Sequence, residues 1–265
     1  MCLIEGNSLR STVRMTGVHR TTIQKLLVEL GAACSAYQDK TLRNLTLRRI
    51  QCDEIWSFVG CKQKNVGPEH RGKGYGDMWT WTALDADTKL VPCWFIGHRD
   101  ASAAYHFMHD LSGRLANRVQ LTTDGHRAYL EAVEDAFGCQ IDFAQLVKIY
   151  GNASPQDMRQ TEVRYSPAVC MGARKAVVSG QPDFRHISTS FAERQNLTMR
   201  MSMRRFTRLT NAFSKKVENL EAAVALHFMH YNFARIHQTL RCTPAMEAGV
   251  SDHVWTIEEI VGLLD

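Results

Sequence analysis

The chain has 265 residues, 45% hydrophobic and 22% charged with only 6 prolines, which excludes a disordered, collagenous or coiled-coil chain and suits one large folded domain with at most a small appendage. Its 32 Lys and Arg against 27 Asp and Glu leave a formal charge of +5, mild when averaged, so the distribution of charge decides what the chain attracts. No apolar run approaches the ~20 residues that cross a bilayer, the start has no signal-peptide pattern, and the eight cysteines are scattered without a C-x-x-C pair; a cytoplasmic protein with no membrane association, no disulfide framework and no zinc site is expected.

Residues 1–47 read as helices. Ser8 to Met15 is followed by Thr16-Gly17-Val18 and then by His19 to Leu30, where Ile23, Leu26, Leu27 and Leu30 recur at helical spacing and Gly31 supplies a stop. A short helix, a turn with Gly and a second amphipathic helix outline a helix-turn-helix, whose second helix offers His19, Arg20, Thr22, Gln24 and Lys25 to a DNA groove. A plain helical hairpin would carry the same pattern. From Ile50 the period becomes that of strands: Ile50 to Val59, Trp79 to Leu84 and Leu90 to Ile96, the last two joined by the turn former Asp85-Ala86-Asp87-Thr88. Pro92 removes a ladder hydrogen bond and makes the third strand an edge. A helix from Ser102 to Leu115, a strand Val119 to Thr123, a helix Ala128 to Phe137 and a strand Gln140 to Phe143 follow. The order βββαβαβ, then helices, matches an α/β architecture of ribonuclease-H-like type: a mixed five-stranded sheet flanked by helices, here with the helix-turn-helix in front. Residues 144–189 read as an irregular or β-rich insertion. A helix from Ser214 to Phe233 carries two apolar stripes and is therefore buried.

In a sheet of that order the first and fourth strands lie side by side, so acids on them converge. Asp53, within an otherwise apolar strand, asks for a partner or a metal, while Glu54 beside it faces the other side and competes for the role. Asp124 ends the fourth strand, where capping the next helix is the lesser alternative. Glu193 opens a stretch in which Arg194, Arg200, Arg204, Arg205, Arg208, Lys215 and Lys216 are interleaved with Phe206 and Phe213 and no acid intervenes. Arg200, seven positions after Glu193, is only about 20° from it around a helix. Three converging carboxylates repel one another, and two Mg²⁺ or Mn²⁺ ions shared among them would relieve the repulsion and support in-line phosphoryl displacement without a nucleophilic side chain.

Several of these segments are recognisable. Arg14-Met15-Thr16-Gly17-Val18, Cys52-Asp53-Glu54-Ile55-Trp56, Leu121-Thr122-Thr123-Asp124-Gly125-His126, Glu193-Arg194-Gln195-Asn196 and the run from Tyr231 to Leu240 leading into Thr243-Pro244-Ala245 resemble the insertion-sequence-1 family of bacterial transposases, with a DDE-type catalytic domain, along essentially the whole chain. The resemblance implies that Asp53, Asp124 and Glu193 are the acidic triad holding Mg²⁺ or Mn²⁺, and that Arg200 is the basic residue following the Glu. It implies DNA end cleavage and strand transfer, with transposon-end DNA and target DNA as partners, in a bacterial, nucleoid-associated homodimer or larger synaptic complex. Arg20, Gln24, Lys25, Arg200, Arg204 and Arg205 are then the DNA-binding candidates. The expected division is a helix-turn-helix region over 1–47, the catalytic domain over 48–240 and a tail over 241–265. The rival readings are a non-catalytic DNA-binding regulator of the element and a structure-selective nuclease of the same fold.

Overall fold

The structure is a computed structural model that describes residues 1–150, 170–207 and 212–265. It opens with α1 (Leu9–Thr16) and α2 (Arg20–Thr41). Ser8 caps α1 by accepting the Ser11 N–H at 3.0 Å, and Gly17 ends it in the left-handed region at φ 71°, turning the chain into α2. The sheet follows, built from β1 (Arg49–Val59), β2 (Gly76–Asp85), β3 (Trp94–Gly97), β4 (Val119–Asp124), β5 (Ile141–Tyr150) and β6 (Cys170–Ser179). Their order is β3-β2-β1-β4-β5-β6. β1, β2 and β3 pair antiparallel, β4 runs parallel to β1 and β5 to β4, and β6 returns antiparallel along β5.

This mixed α/β arrangement is compatible with the ribonuclease-H-like one, with a correction in strand number from five to six. The fifth strand does not stop at Phe143 but continues to Tyr150, and its backbone groups are paired by β6. Both segments fall within the stretch expected as an insertion, whose middle, 151–169, lies outside the described residues, as does Arg208. β3 is the edge, as Pro92 suggests, although the proline falls just before it. Beside that proline the fully buried Asn232 stands in for a strand neighbour: the Val91 N–H donates to its Oδ1 and its Nδ2 donates to the Val91 carbonyl, each at 3.0 Å.

Helices cover both faces. α3 (Ala101–Ser112) and α4 (Ala128–Phe137) lie on one, α5 (Ser190–Ser202) and α6 (Val217–Met229) on the other. The two stripes of α6 do two jobs. Leu220, Val224 and Phe228 join Ile55, Met78 and Leu84 under the sheet, while Ala222, Ala223, Leu226 and Met229 meet Leu27, Leu30 and Cys34 of α2. A π turn, His230–Ala234, follows Met229 directly and carries the helix through the expected Phe233. Past it, α7 (Pro244–Glu247) and α8 (Ile257–Val261) contribute Ala245 and Ile260 to the same buried cluster as Ile4 near the chain start.

Gly31 does not end α2, which runs ten residues further. It sits where α2 crosses α6, and a Cβ built there would lie 2.4 Å from the Ala222 Cα and 2.6 Å from its carbonyl oxygen. The glycine therefore serves close helix approach rather than termination. Gly31→Ala gains about 1 kcal/mol of helix propensity, but it forces two backbones apart, at about 1–3 kcal/mol. Thermal denaturation should show a lower melting temperature for Gly31→Ala and a still lower one for Gly31→Leu; a rise with alanine would mean that the helices separate freely.

Candidate active site

Neighbouring strand residues face opposite sides, and β1 uses both. On one side Gln51, Asp53 and Ile55 meet α5. The Gln51 Oε1 accepts the N–H groups of Phe191 at 2.8 Å and Ala192 at 3.2 Å, the Asn196 Nδ2 donates to the Asp53 Oδ2 at 2.8 Å, and Met199 packs with Ile55. The Asp53 Oδ1 accepts the N–H of Glu54 at 2.9 Å. On the other side Glu54, its side chain 1% exposed, accepts the Tyr129 hydroxyl from α4 and the Arg99 Nε at 3.0 Å. Arg99 lies against the Trp79 ring and also donates to the Asp124 Oδ2 at 3.1 Å. Asp124 ends β4, and its Oδ1 accepts the His126 N–H at 2.9 Å, which fixes the turn into α4.

Asp53, Glu54 and Asp124 thus converge, with one oxygen of each within 4.8 Å of the others. Glu193 is not one of these three. It lies in the first turn of α5, paired with Lys148 of β5 at 2.6 Å and accepting the Thr189 hydroxyl at 2.6 Å.

Burial first, and the Asp124 charge second, push Asp53 up from 3.8 to about 6; Glu193 adds to the rise, while the Glu54 N–H and Lys148 oppose it. Burial and Asp124 likewise push Glu54 up from 4.5 to about 7, against the pull of Tyr129 and Arg99. Arg99 is 37% exposed, so water screens part of its charge and the ion pair does not cancel the burial. A set of oxygen donors that is strained when ionised suits a hard divalent cation, which takes carboxylate ligands and competes with their protons. Glu54 is sealed from solvent and faces the Arg99 guanidinium, which Asp124 shares, whereas the direct partners of Asp53 are amide donors alone.

Of the DNA-binding candidates, Arg20, Gln24, Arg204 and Arg205 line one cleft. Lys25 lies outside it and pairs with Glu29 at 3.6 Å, and Arg200 occupies the last turn of α5. Sequence reasoning passed over Arg99, Tyr129, Lys148 and Gln51, and gave Asn196 no role. The alternation of polar Gln51 and Asp53 on one face of an apolar strand was a signal for Gln51. The others are joined only by tertiary structure.

No protein-family model matches the chain, and no curated protein matches it. Among solved structures it is similar to a chain in the crystal structure of the Mos1 strand transfer complex, at 12% identity over 84% of this chain and 73% of that one, with a TM-score of 0.26.

The raised carboxyls fix a pH dependence. Folding favours their protonated forms, so that contribution to stability is complete below the ordinary values of 3.8 and 4.5 and is lost as pH rises through about 6 to 7. A divalent cation acts in the opposite window. Mn²⁺ should raise the melting temperature at about pH 8 and have no effect at about pH 5; an equal rise at both would place the cation elsewhere. At the higher pH, Asp53→Asn and Asp124→Asn should each raise the melting temperature of the metal-free protein and abolish the Mn²⁺ rise, and Glu54→Gln should retain that rise. Its loss in Glu54→Gln would make Glu54 the ligand.

Proposed function

We propose that the protein is a DNA transposase of the insertion-sequence type, cutting at the ends of its element and joining them to target DNA. The observation that carries this reading is the convergence of Asp53 and Asp124 from adjacent parallel strands, with Asp53 short of positive charge. Asp53, Asp124 and, from the facing helix, Glu193 hold Mg²⁺ or Mn²⁺, which when bound supplies charge neutralisation for an in-line phosphoryl displacement. The chain's own groups prepare that site. Asn196 fixes the Asp53 carboxylate, and Arg99 fixes Asp124 from the side opposite α5. Lys148 neutralises Glu193. Arg200 shares the α5 helix with Glu193 and binds a backbone phosphate. Arg20, Gln24 and Lys25 contact the element end, and Arg204 and Arg205 its phosphates. Because both ends must be joined in one event, the working unit is a homodimer or a larger complex.

The test is strand transfer with duplexes copied from inverted repeats that flank the gene, in Mg²⁺. Wild type should join these ends to a target, and Asp53→Asn, Asp124→Asn and Glu193→Gln should each lower the rate by on the order of 10³-fold, equivalent to about 4 kcal/mol, without weakening DNA binding. Cleavage without joining would point to a nuclease, and binding without cleavage to a regulator.

A further inference from the structure

The face of β1 that carries Glu54 continues past the carboxylates as a row of aromatic rings. Alternation puts Glu54, Trp56 and Phe58 on one side of the strand, and their antiparallel partners on β2, Trp81, Trp79 and Asp77, share that side. Glu54 and Trp81 are buried under Tyr129 of α4. Trp56, Phe58 and Trp79 are only half-buried. The difference follows from where β4 stops. Gln51 pairs with Thr122, so the end of β4 at Asp124 falls level with Asp53, and beyond it β1 and β2 run on as a two-stranded ribbon to Val59 and Gly76. On this ribbon Trp79 stands directly opposite Trp56, and the Phe58 ring lies 5.7 Å from that of Trp56 and 4.9 Å from that of Phe213.

Cations border the row at both ends. Arg99 lies over Trp79 at 5.1 Å and reaches Glu54 and Asp124, which joins the row to the acidic site. Lys62 lies over Trp56 at 5.6 Å. It belongs to the loop 60–75 between β1 and β2, where the exposed Lys62, Lys64, Arg71 and Lys73 stand against one acid, Glu69, itself 3.6 Å from His70. Asp77, opposite Phe58, accepts the Gln63 N–H at 3.0 Å and is held by that loop. Rings that served the core alone would be closed over by apolar groups; these are left half open beside a local excess of positive charge. Aromatic faces stack on bases of any sequence while neighbouring cations hold the phosphates, the combination that suits a single strand. A duplex keeps its base faces inside its own stack, so only bases that have left their pairs can use such a surface.

We infer that the aromatic face of the β1–β2 ribbon binds the unpaired bases of single-stranded DNA, stacked on Trp56, Phe58 and Trp79 with the backbone along the 60–75 loop. The inference rests on the DNA-processing reading above and adds a ligand that duplex contacts do not supply: the bases of a strand parted from its complement beside the carboxylates.

The test uses the full chain without added metal and three labelled probes: a 12-nucleotide oligothymidine, a 12-unit abasic strand with the same phosphates, and a 30-base-pair duplex. Stacking contributes about fivefold to 150-fold per base. Wild type should therefore bind oligothymidine at least about tenfold tighter than the abasic strand near 0.1 M salt, and oligothymidine alone should quench the tryptophan fluorescence. Trp56→Leu and Phe58→Leu, which keep an apolar side chain on the ribbon, should each lower oligothymidine affinity on the order of tenfold, with abasic-strand affinity and the salt slope unchanged. Lys62→Gln should instead weaken both single strands and lower the logarithmic salt slope by about 0.7, one phosphate contact. Phe184→Leu, which removes an exposed ring beneath Lys175 of β6, should change nothing. Equal wild-type affinity for the two single strands overturns the site, and this comparison needs no variant, so it decides the matter if a ribbon variant does not fold. In variants that melt with wild type, an equal loss on both single strands, or values matching Phe184→Leu, also overturns it. Wild type that binds the duplex but neither single strand overturns the site alone; wild type that binds none of the three overturns the DNA-processing reading with it.

Discussion

Two neighbouring carboxyl groups lie at the centre of the sheet, Glu54 buried and Asp53 half-buried, and much of the surrounding structure answers that one constraint. An ionised carboxylate in such a place costs several kcal/mol unless it is paired or hydrogen-bonded. Glu54, facing α4, has a full positive charge from Arg99 and a hydroxyl from Tyr129. Asp53, facing α5, has only dipoles: its neighbour's N–H and the Asn196 amide. The compensation is unequal, and Asp124 makes it more so, because it raises both groups while sharing the single guanidinium of Arg99. The deficit falls on the α5 side, where Glu193 waits with its charge held by Lys148.

That deficit is useful only if α5 cannot slide along β1. Thr189 occupies the N-cap position of α5 but donates its hydroxyl to Glu193 instead of accepting an N–H from the first turn. Two of the helix's opening N–H groups are therefore satisfied from outside, by Gln51, two residues from Asp53 on the same face of the same strand. Cap, carboxylate contact and apolar contact follow at Gln51, Asp53 and Ile55, against Phe191, Asn196 and Met199. A slip of one strand residue would break all three. Rigid placement of this kind is what an acidic site needs, since misplacement by about 1 Å can cost on the order of 10²-fold in rate.

What could be read from the sequence divides along physical lines. Local rules located the strands around Asp53 and Asp124, the edge near Pro92 and the two-sided burial of α6, because alternation, proline chemistry and helical stripes are properties of short windows. They misjudged Gly31, since a glycine at a helix crossing and one at a helix end look alike until the partner helix is known. They gave the sheet one strand too few, because β6, Cys170–Ser179, is largely exposed and carries little burial pattern. The choice between Asp53 and Glu54 could not be made from the strand, because it depends on Arg99 and Tyr129, each more than 40 residues away and brought in by the loop before α3 and the start of α4. Glu193 has a similar history. Its helix and first-turn position were legible, and its pairing with Lys148 of β5 was not.

The two ends of β1 carry opposite electrostatic problems, and the opposition has a consequence for any polyanion that spans them. At Asp53 the chain has too much negative charge for its burial; past Val59, which bridges to Ser214, lies a cleft lined by cations and, among the described residues, by no acid. A phosphate backbone is attracted to the second and repelled by the first until a divalent cation neutralises the carboxylates.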